Sequence, residues 1–418
     1  MYMNDKKLKI VPRKRFPQFE SSEAWNELTL IQLSDRITDK VGTEKLTTLS
    51  ISAGVGFVSQ TEKFDRDISG NQYRNYIRIK KGDFSYNKGN SKKFPQGCIY
   101  ELNEYEVAAV PNAFISFRFH DDIVSDFYKG YFENNFHGKQ LAKHITSGAR
   151  SNGLLNINAD DFFNIILPTP KETAEQQKIA DCLISLDDLI DAEKNKLDTL
   201  QKHKVGLMQK FFPSCEDSLP KLRFKEFCDK KIDFKNGDKL FDPISNKDHK
   251  CDLPVLAISQ EHGAIPREKI DYNVFVSDKS LESYKVVEIG DFIISLRSFQ
   301  GGIEYSVYRG ICSPAYIILR KKIDICDQYF KYYFKTKKFI ADLNKNLEGI
   351  RDGKMVSYSQ FSELVLPVPD KKEQQKIADC LCSVDELINT QATKIEELRN
   401  HKNGLLQQLF PSFEEVNK

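Results

Sequence analysis

The sequence predicts an α+β protein made by internal duplication. Two similar mixed α/β domains are separated by two long helices, which pair seam to seam as a coiled coil. Three observations predict this. The nine residues Glu-Gln-Gln-Lys-Ile-Ala-Asp-Cys-Leu occur at Glu175–Leu183 and again at Glu373–Leu381. Each copy follows a Leu-Pro-x-Pro segment, Leu167–Pro170 or Leu366–Pro369, and each is later closed by Phe-Pro-Ser, at Phe212–Ser214 or Phe410–Ser412. Between those marks apolar residues recur in steps of four and three. A period of about 200 residues is that of a duplicated domain, since solenoid repeats run to about 20–50.

Each repeated stretch reads as one helix. Pro170 and Pro369 bar helix before them. No proline follows until Pro213 or Pro411, about 40 residues on, or roughly 60 Å of helix. Asp370 with Glu373, and Thr173 with Gln176, have the spacing of a capping box. The apolar seam runs from Ile179 through Leu183, Leu186 and Ile190 to Phe211 in the first copy, and from Ile377 through Leu381, Val384 and Ile388 to Leu409 in the second. This is the heptad pattern of a coiled coil. Polar residues interrupt both seams at the same two places, Glu193 and Lys204 in the first, Gln391 and Lys402 in the second. Two amphipathic helices on separate domain surfaces are the plainer alternative, but matched interruptions favour seam-to-seam pairing. If those interruptions meet each other in an antiparallel pair, Glu193 faces Lys402 and Lys204 faces Gln391, because an unpaired buried charge is costly.

At 418 residues the chain is long enough for two to three domains with their own cores. Its 40% hydrophobic and 29% charged content is ordinary for a globular protein. No apolar stretch backs the basic residues Lys6–Lys14, so no secretory signal is expected, and no run of about 18 apolar residues is present to cross a membrane. Nine cysteines, none in a Cys-x-x-Cys pair, fit a reducing cytoplasm. The net charge of +2 excludes an indiscriminate polyanion binder. The mixed regions are mildly basic and the helices mildly acidic, which leaves room for a localised basic face.

Residues 1–11 read as a tail. Pro12-Arg13-Lys14-Arg15-Phe16 opens the first mixed region, and Pro220-Lys221-Leu222-Arg223-Phe224 opens the second. In each, an apolar run, a Gly-Asp turn and another apolar run give a hairpin-like signal, around Gly82-Asp83 and Gly290-Asp291. Strands are expected at Glu106–Val110 and Ala315–Leu319, then helix near Ser125–Thr146 and Gln328–Leu347. A Gly-containing loop follows in both, before the Leu-Pro-x-Pro segment. The two regions share this skeleton and little other sequence, as expected of two modules that read different targets.

Catalytic patterns are missing. Gly54-Val55-Gly56 lacks a third glycine opening a helix and reads as a turn, and no P-loop is present. Val110-Pro111-Asn112-Ala113-Phe114 is not the Asn-Pro-Pro-aromatic pocket of an amino-methyltransferase. The seven histidines make no metal-ligand spacing. Polar and basic residues do gather after the Gly-Asp turns: Lys88, Asn90, Ser91, Lys92 and Lys93 in the first region, Arg297, Ser298 and Gln300 in the second. Arg, Asn and Gln reach base edges, while Lys and Ser suit phosphates. Arg150 in the first Gly-containing loop, and Arg351 and Lys354 in the second, are further candidates for backbone contacts. A solvated hairpin tip is the plain alternative for each.

The duplicated helices with their Leu-Pro-x-Pro lead-ins, the Pro-x-x-Arg-Phe domain starts and the Gly-Asp turns together resemble the specificity subunit of type I restriction–modification systems. The resemblance covers essentially the whole chain. It implies two target-recognition domains, residues 1–170 and 215–369, each reading one half of a bipartite, asymmetric double-stranded DNA sequence. It implies that helices 171–214 and 370–412 act as antiparallel spacer and as docking sites for two methyltransferase subunits, with 413–418 as a tail. S-adenosylmethionine, ATP and Mg²⁺ are then expected on partner subunits, methyltransferase and motor-nuclease, and none on this chain, which would be a non-catalytic cytoplasmic protein. A coiled-coil scaffold binding only proteins is the alternative from another class, and a self-contained methyltransferase a third.

Overall fold

The structure, a computed structural model, describes residues 10–89, 94–145, 155–214, 219–249, 252–260, 262–269, 281–345 and 356–411. Contacts gather them into two compact units. One holds the chain up to Glu193 together with Lys394 onward, and the other holds Lys194–Thr393. Each unit thus contains a mixed region, part of its own long helix and part of the other.

In the first unit the order is β1 (Asn26–Thr29), α1 (Leu30–Leu33), β2 (Ser34–Ile37), β3 (Leu49–Ser52), β4 (Gly56–Ser59), α2 (Gln60–Phe64), β5 (Ile77–Lys80) and β6 (Phe84–Asn87). Then come β7 (Cys98–Glu101), β8 (Val107–Val110), β9 (Ile115–Phe119), α3 (Ser125–Glu133), α4 (Phe136–Leu141), α5 (Ala159–Phe163), β10 (Ile166–Thr169) and the long α6 (Thr173–Phe211). The second mixed region repeats the plan: β11 (Asp233–Asn236), α7 (Gly237–Leu240), β12 (Phe241–Ile244), β13 (Leu256–Ser259), β14 (Gly263–Pro266), β15 (Lys285–Val287) and β16 (Phe292–Ile294). It adds a one-turn helix, α8 (Ser298–Gly301), before β17 (Glu304–Tyr305), β18 (Gly310–Cys312) and β19 (Ile317–Lys321). It ends with α9 (Asp327–Tyr333), α10 (Lys337–Lys345), α11 (Tyr358–Glu363), β20 (Val365–Val368) and the long α12 (Lys371–Leu409).

The sheets match strand for strand. A four-stranded sheet β2-β9-β6-β7 corresponds to β12-β19-β16-β17, and the ladders β1-β10, β3-β4 and β5-β8 correspond to β11-β20, β13-β14 and β15-β18. The Gly-Asp segments are therefore not hairpins. β5 pairs with β8 and β6 with β7 and β9, so Gly82-Asp83 turns the chain from one sheet into another, as Gly290-Asp291 does between β15 and β16. Gly82 and Gly290 hold φ of 86° and 97°, which only glycine adopts cheaply. The aspartate after each is buried and accepts both forks of an arginine, Arg118 on Asp83 at 2.6 and 2.8 Å, Arg320 on Asp291 at 2.7 Å twice. The strand read at Ala315–Leu319 is the counterpart of β9, not of β8. The helices expected near Ser125–Thr146 and Gln328–Leu347 each break in two. Asn135 takes a left-handed φ of 53° between α3 and α4, and Thr336 restarts the second by accepting the Phe339 amide.

The repeated residues prove to be one junction built twice. Glu175 is buried and accepts a bidentate pair from Arg15 at 2.7 and 2.5 Å; Glu373 accepts the same from Arg223 at 2.8 and 2.7 Å. Both glutamates are thus turned to the domain start, so Glu373 does not close the capping box read with Asp370. Gln176 and Gln374 donate to Pro170 and Pro369 carbonyls at 3.0 and 2.8 Å. Gln177 and Gln375 bond Asp181 and Asp379 one turn on. Lys178 and Lys376 lie over the Phe16 and Phe224 rings, and the Ile-Ala pairs are buried. The Phe-Pro-Ser ends are anchors. Phe410 packs on Phe127 and Tyr131 in the first unit, and Phe212 on Tyr329 and Tyr333 in the second. Each helix end is thus buried in the mixed region that belongs to the other repeat.

The long helices run antiparallel in each unit, but not in the register that matched seam polars require. In the first unit Lys402 donates to Asp187 and pairs with Glu133 of α3, while Glu193 takes Lys394. In the second unit Lys204 pairs with Asp385 at 2.6 Å. The pairing of Glu193 with Lys402 and of Lys204 with Gln391 is thereby corrected by about one heptad. The physical reason is that long side chains leave the seam sideways. Their charges meet carboxylates beside it and their stems fill the layer, so seam charges need not face one another.

Candidate nucleic-acid interface

In both units one connection leaves an inner strand of the four-stranded sheet and returns at its edge: β6 to β7 in the first, β16 to β17 in the second. Lys88, Asn90, Ser91, Lys92 and Lys93 fall on the first connection and Arg297, Ser298 and Gln300 on the second, whereas Arg150, Arg351 and Lys354 fall elsewhere in the chain.

In the first unit the connection is tied down at both ends. Lys88 donates its ammonium to the Ile157 carbonyl at 3.0 Å and its own carbonyl accepts the Leu155 amide, so its charge secures the connection. Lys88, expected at a phosphate, is half-buried and spends one of its ammonium donors on the Ile157 carbonyl. The Tyr86 hydroxyl donates to the Gln96 carbonyl at 2.6 Å, and Asn135 donates to the Gln96 side chain at 3.1 Å. His137 is fully buried beside them, and burial holds its pKa down at about 4, so it is neutral near pH 7. Asn90, Ser91, Lys92, Lys93 and Arg150 lie outside the described residues, as do Arg351 and Lys354 in the second unit.

In the second unit the connection forms α8. Arg297, at its N-cap, and Gln300, within it, are exposed. Ser298 is not. Its side chain is 1% exposed and accepts the Ser295 amide at 2.9 Å, so it shapes the turn and cannot reach a phosphate. Sequence reading missed the residues that hold α8 from outside, Gln260, Lys335 and Asn344, because they come from elsewhere in the chain. It also missed the Asp83–Arg118 and Asp291–Arg320 pairs. There a signal existed: an arginine near the end of an apolar strand in both repeats, following the same Gly-Asp turn.

Two thiols are buried within the sheets. Burial pushes the Cys98 and Cys312 thiols up to about 11 and about 12, so neither supplies a thiolate near neutral pH. Among the described residues no group of three His, Cys, Asp or Glu side chains could hold a metal ion, and no helix is long and apolar enough to cross a membrane. A hollow of 240 Å³ beside Arg15 and Glu175 is lined by groups already paired with each other and is below the usual size of a ligand pocket, about 300–1,000 Å³.

Comparison with known proteins follows the same lines. The model of the type I restriction modification DNA specificity domain matches residues 55–202 and 221–400, one match in each repeat. Two specificity subunits of Methanocaldococcus jannaschii are each 24% identical to the chain. They are the putative type I restriction enzyme MjaX subunit, over 69% of this chain and 68% of that protein, and the MjaVIII subunit, over 64% and 66%. The fold is shared with the type I restriction–modification S subunit of M. genitalium, at TM-score 0.54 and 14% identity over 97% of this chain and 100% of that one. A chain from a type I restriction–modification assembly matches at the same TM-score with 16% identity, over 96% and 100%.

Proposed function

Because this chain belongs to the type I restriction–modification DNA specificity family, we propose that it reads double-stranded DNA, each mixed domain recognising one half of a bipartite, asymmetric target. The observation that carries this is the β6–β7 connection and its counterpart β16–β17. One scaffold, matched strand for strand, carries connections of unrelated polar sequence at one topological position. In the second domain Arg297 and Gln300 are the readers, through base edges in the major groove. In the first domain Asn90, Ser91, Lys92 and Lys93 take that place. Arg150, Arg351 and Lys354 serve as backbone contacts. Residues 1–170 and 215–369 act as the reading domains, 171–214 and 370–412 as the spacer that sets the distance between half-sites, and 413–418 as a tail.

The chain performs no chemistry of its own in this reading and works in the cytoplasm. Two methyltransferase subunits bring S-adenosylmethionine, and motor-nuclease subunits bring ATP and Mg²⁺. Docking of two copies of one partner is supported by apolar side chains exposed at equivalent helix positions, Leu189 at 43% and Leu387 at 56%. A gel-shift selection from a randomised duplex library, with and without a methyltransferase partner, tests the proposal. Two short motifs at fixed spacing are expected in the bound pool. A pool without enrichment, alongside stable binding of the partner protein, is the result expected of a protein-only scaffold.

A further inference from the structure

We propose that Gln260, Lys335 and Asn344 are positioning residues for DNA reading by the second domain. They hold α8 so that Arg297 and Gln300 meet the bases in a fixed geometry. This rests on the reading that those two side chains touch DNA.

A helix of one turn cannot hold itself in water. The backbone of α8 satisfies only part of its own polar groups: the Arg297 carbonyl accepts the Gln300 amide, and the Ser298 carbonyl accepts the Gly302 amide, each at 2.9 Å. Side chains from three places take the two alternate carbonyls, Phe299 and Gly301, and add to Arg297. Asn344 of α10 donates to Phe299 at 2.7 Å, Lys335 between α9 and α10 donates to Gly301 at 3.0 Å, and Gln260 after β13 adds a bond to Arg297 at 2.9 Å. Asn344 is itself steadied by the Ile340 carbonyl at 2.7 Å, and Lys335 by the buried carboxylate of Glu304 at 2.5 Å.

Close packing leaves no slack. A Cβ at Gly301 would stand 2.5 Å from the Gln260 side chain, and one at Gly302 would stand 2.0 Å from the Phe334 carbonyl. The side chains of Arg297 and Gln300 nonetheless remain exposed. A bidentate base contact tolerates displacements of only about 0.5 Å, so a fixed seat under exposed side chains is what discrimination needs. The first unit ties its own connection down by other means, with Tyr86 and Asn135 on Gln96.

The test uses the full chain with its methyltransferase partner and reads affinity for the target, for each singly altered half-site and for random duplex. Gln260→Ala removes an exposed side chain. Asn344→Asp keeps shape but loses the donor. Each is expected to lower discrimination at the second half-site roughly 3- to 10-fold, as for one hydrogen bond. First half-site discrimination, the salt slope and the melting temperature should stay unchanged. Arg297→Ala and Gln300→Ala are run beside them. If those two lose discrimination while Gln260→Ala and Asn344→Asp keep it, the positioning role is overturned. If Arg297→Ala and Gln300→Ala themselves lose nothing, the DNA-reading assignment of this turn fails. Equal loss at both half-sites, or a fall in melting temperature that accounts for the loss, also overturns the positioning role.

Discussion

Asp187 accepts two hydrogen bonds from the Lys402 ammonium, at 2.7 and 2.8 Å. The repeat-equivalent residues meet with their roles exchanged, since Asp385 of the second helix takes Lys204 of the first. Each unit therefore carries this cross-repeat ion pair, and the first adds Lys394 on Glu193. Each is completed by its own mixed region: Glu133 joins Lys402, and the Tyr332 ring lies under Lys204 at 5.4 Å while its hydroxyl donates to Asp385 at 2.6 Å.

This register predicts a specific energetic coupling. A double-mutant cycle on Asp187 and Lys402 should return about 1 kcal/mol, a modest value because the Asp187 side chain is 47% exposed. A cycle on Glu193 and Lys402 should be additive. Coupling between Glu193 and Lys402 with none at Asp187 would restore the register read from matched seam polars.

The Arg15–Glu175 pair is buried on both sides, 5% and 1% exposed, so removing one partner strands the other. Glu175→Gln should destabilise the first unit by about 3 kcal/mol, and Arg15→Lys should also destabilise it because lysine keeps the charge but cannot form the fork. Trp25, the only tryptophan, is buried in that unit and reports its unfolding by fluorescence. Glu373→Gln should leave the Trp25 transition near its place while lowering the stability of the second unit, followed by hydrogen exchange. A Trp25 transition unmoved by Glu175→Gln would refute the role given to this pair.

Much of this was legible from the sequence, and what was missed shares a cause. The nine-residue repeat, the proline boundaries and the heptads are local patterns, and they specified the helices and the duplication. Glu373 looked like a capping residue because local spacing cannot reveal an arginine 150 positions away. The Gly-Asp turns looked like hairpins because β5 and β8, which actually pair, are separated by β6 and β7 in sequence. The seam register failed for the same reason: Glu133 and Tyr332 sit in the mixed regions, and no helix pattern contains them. Lys88 and Ser298 have the right chemistry for DNA but spend it on the Ile157 carbonyl and the Ser295 amide.

His137 should make the first unit acid-sensitive. Its pKa is about 6.5 in the unfolded chain and about 4 when buried, so the unfolded state binds the proton first and stability falls as pH drops through that window. Between pH 7 and pH 5 the loss should be about 2 kcal/mol, read from Trp25 fluorescence in denaturant. His137→Phe should flatten this slope. An unchanged slope in that variant would place the acid sensitivity elsewhere.

Lys88 and Lys92 should differ although four positions apart. Lys88→Ala should lower the stability of the first unit and leave the salt dependence of DNA binding unchanged, since its ammonium is held by the Ile157 carbonyl. Lys92→Ala should reduce the salt slope by about 1 and weaken target and random duplex alike. A fall in salt slope for Lys88→Ala would show that its ammonium leaves Ile157 for a phosphate.

The most direct measurement is exchange of residues 12–170 for the equivalent region of another specificity subunit, followed by selection of bound duplexes from a random library. One half-site should change to that of the donor, while the other half-site and the spacing between them are retained. Both half-sites changing together, or the spacing changing while the long helices are untouched, would contradict independent reading by two domains on a fixed helical spacer.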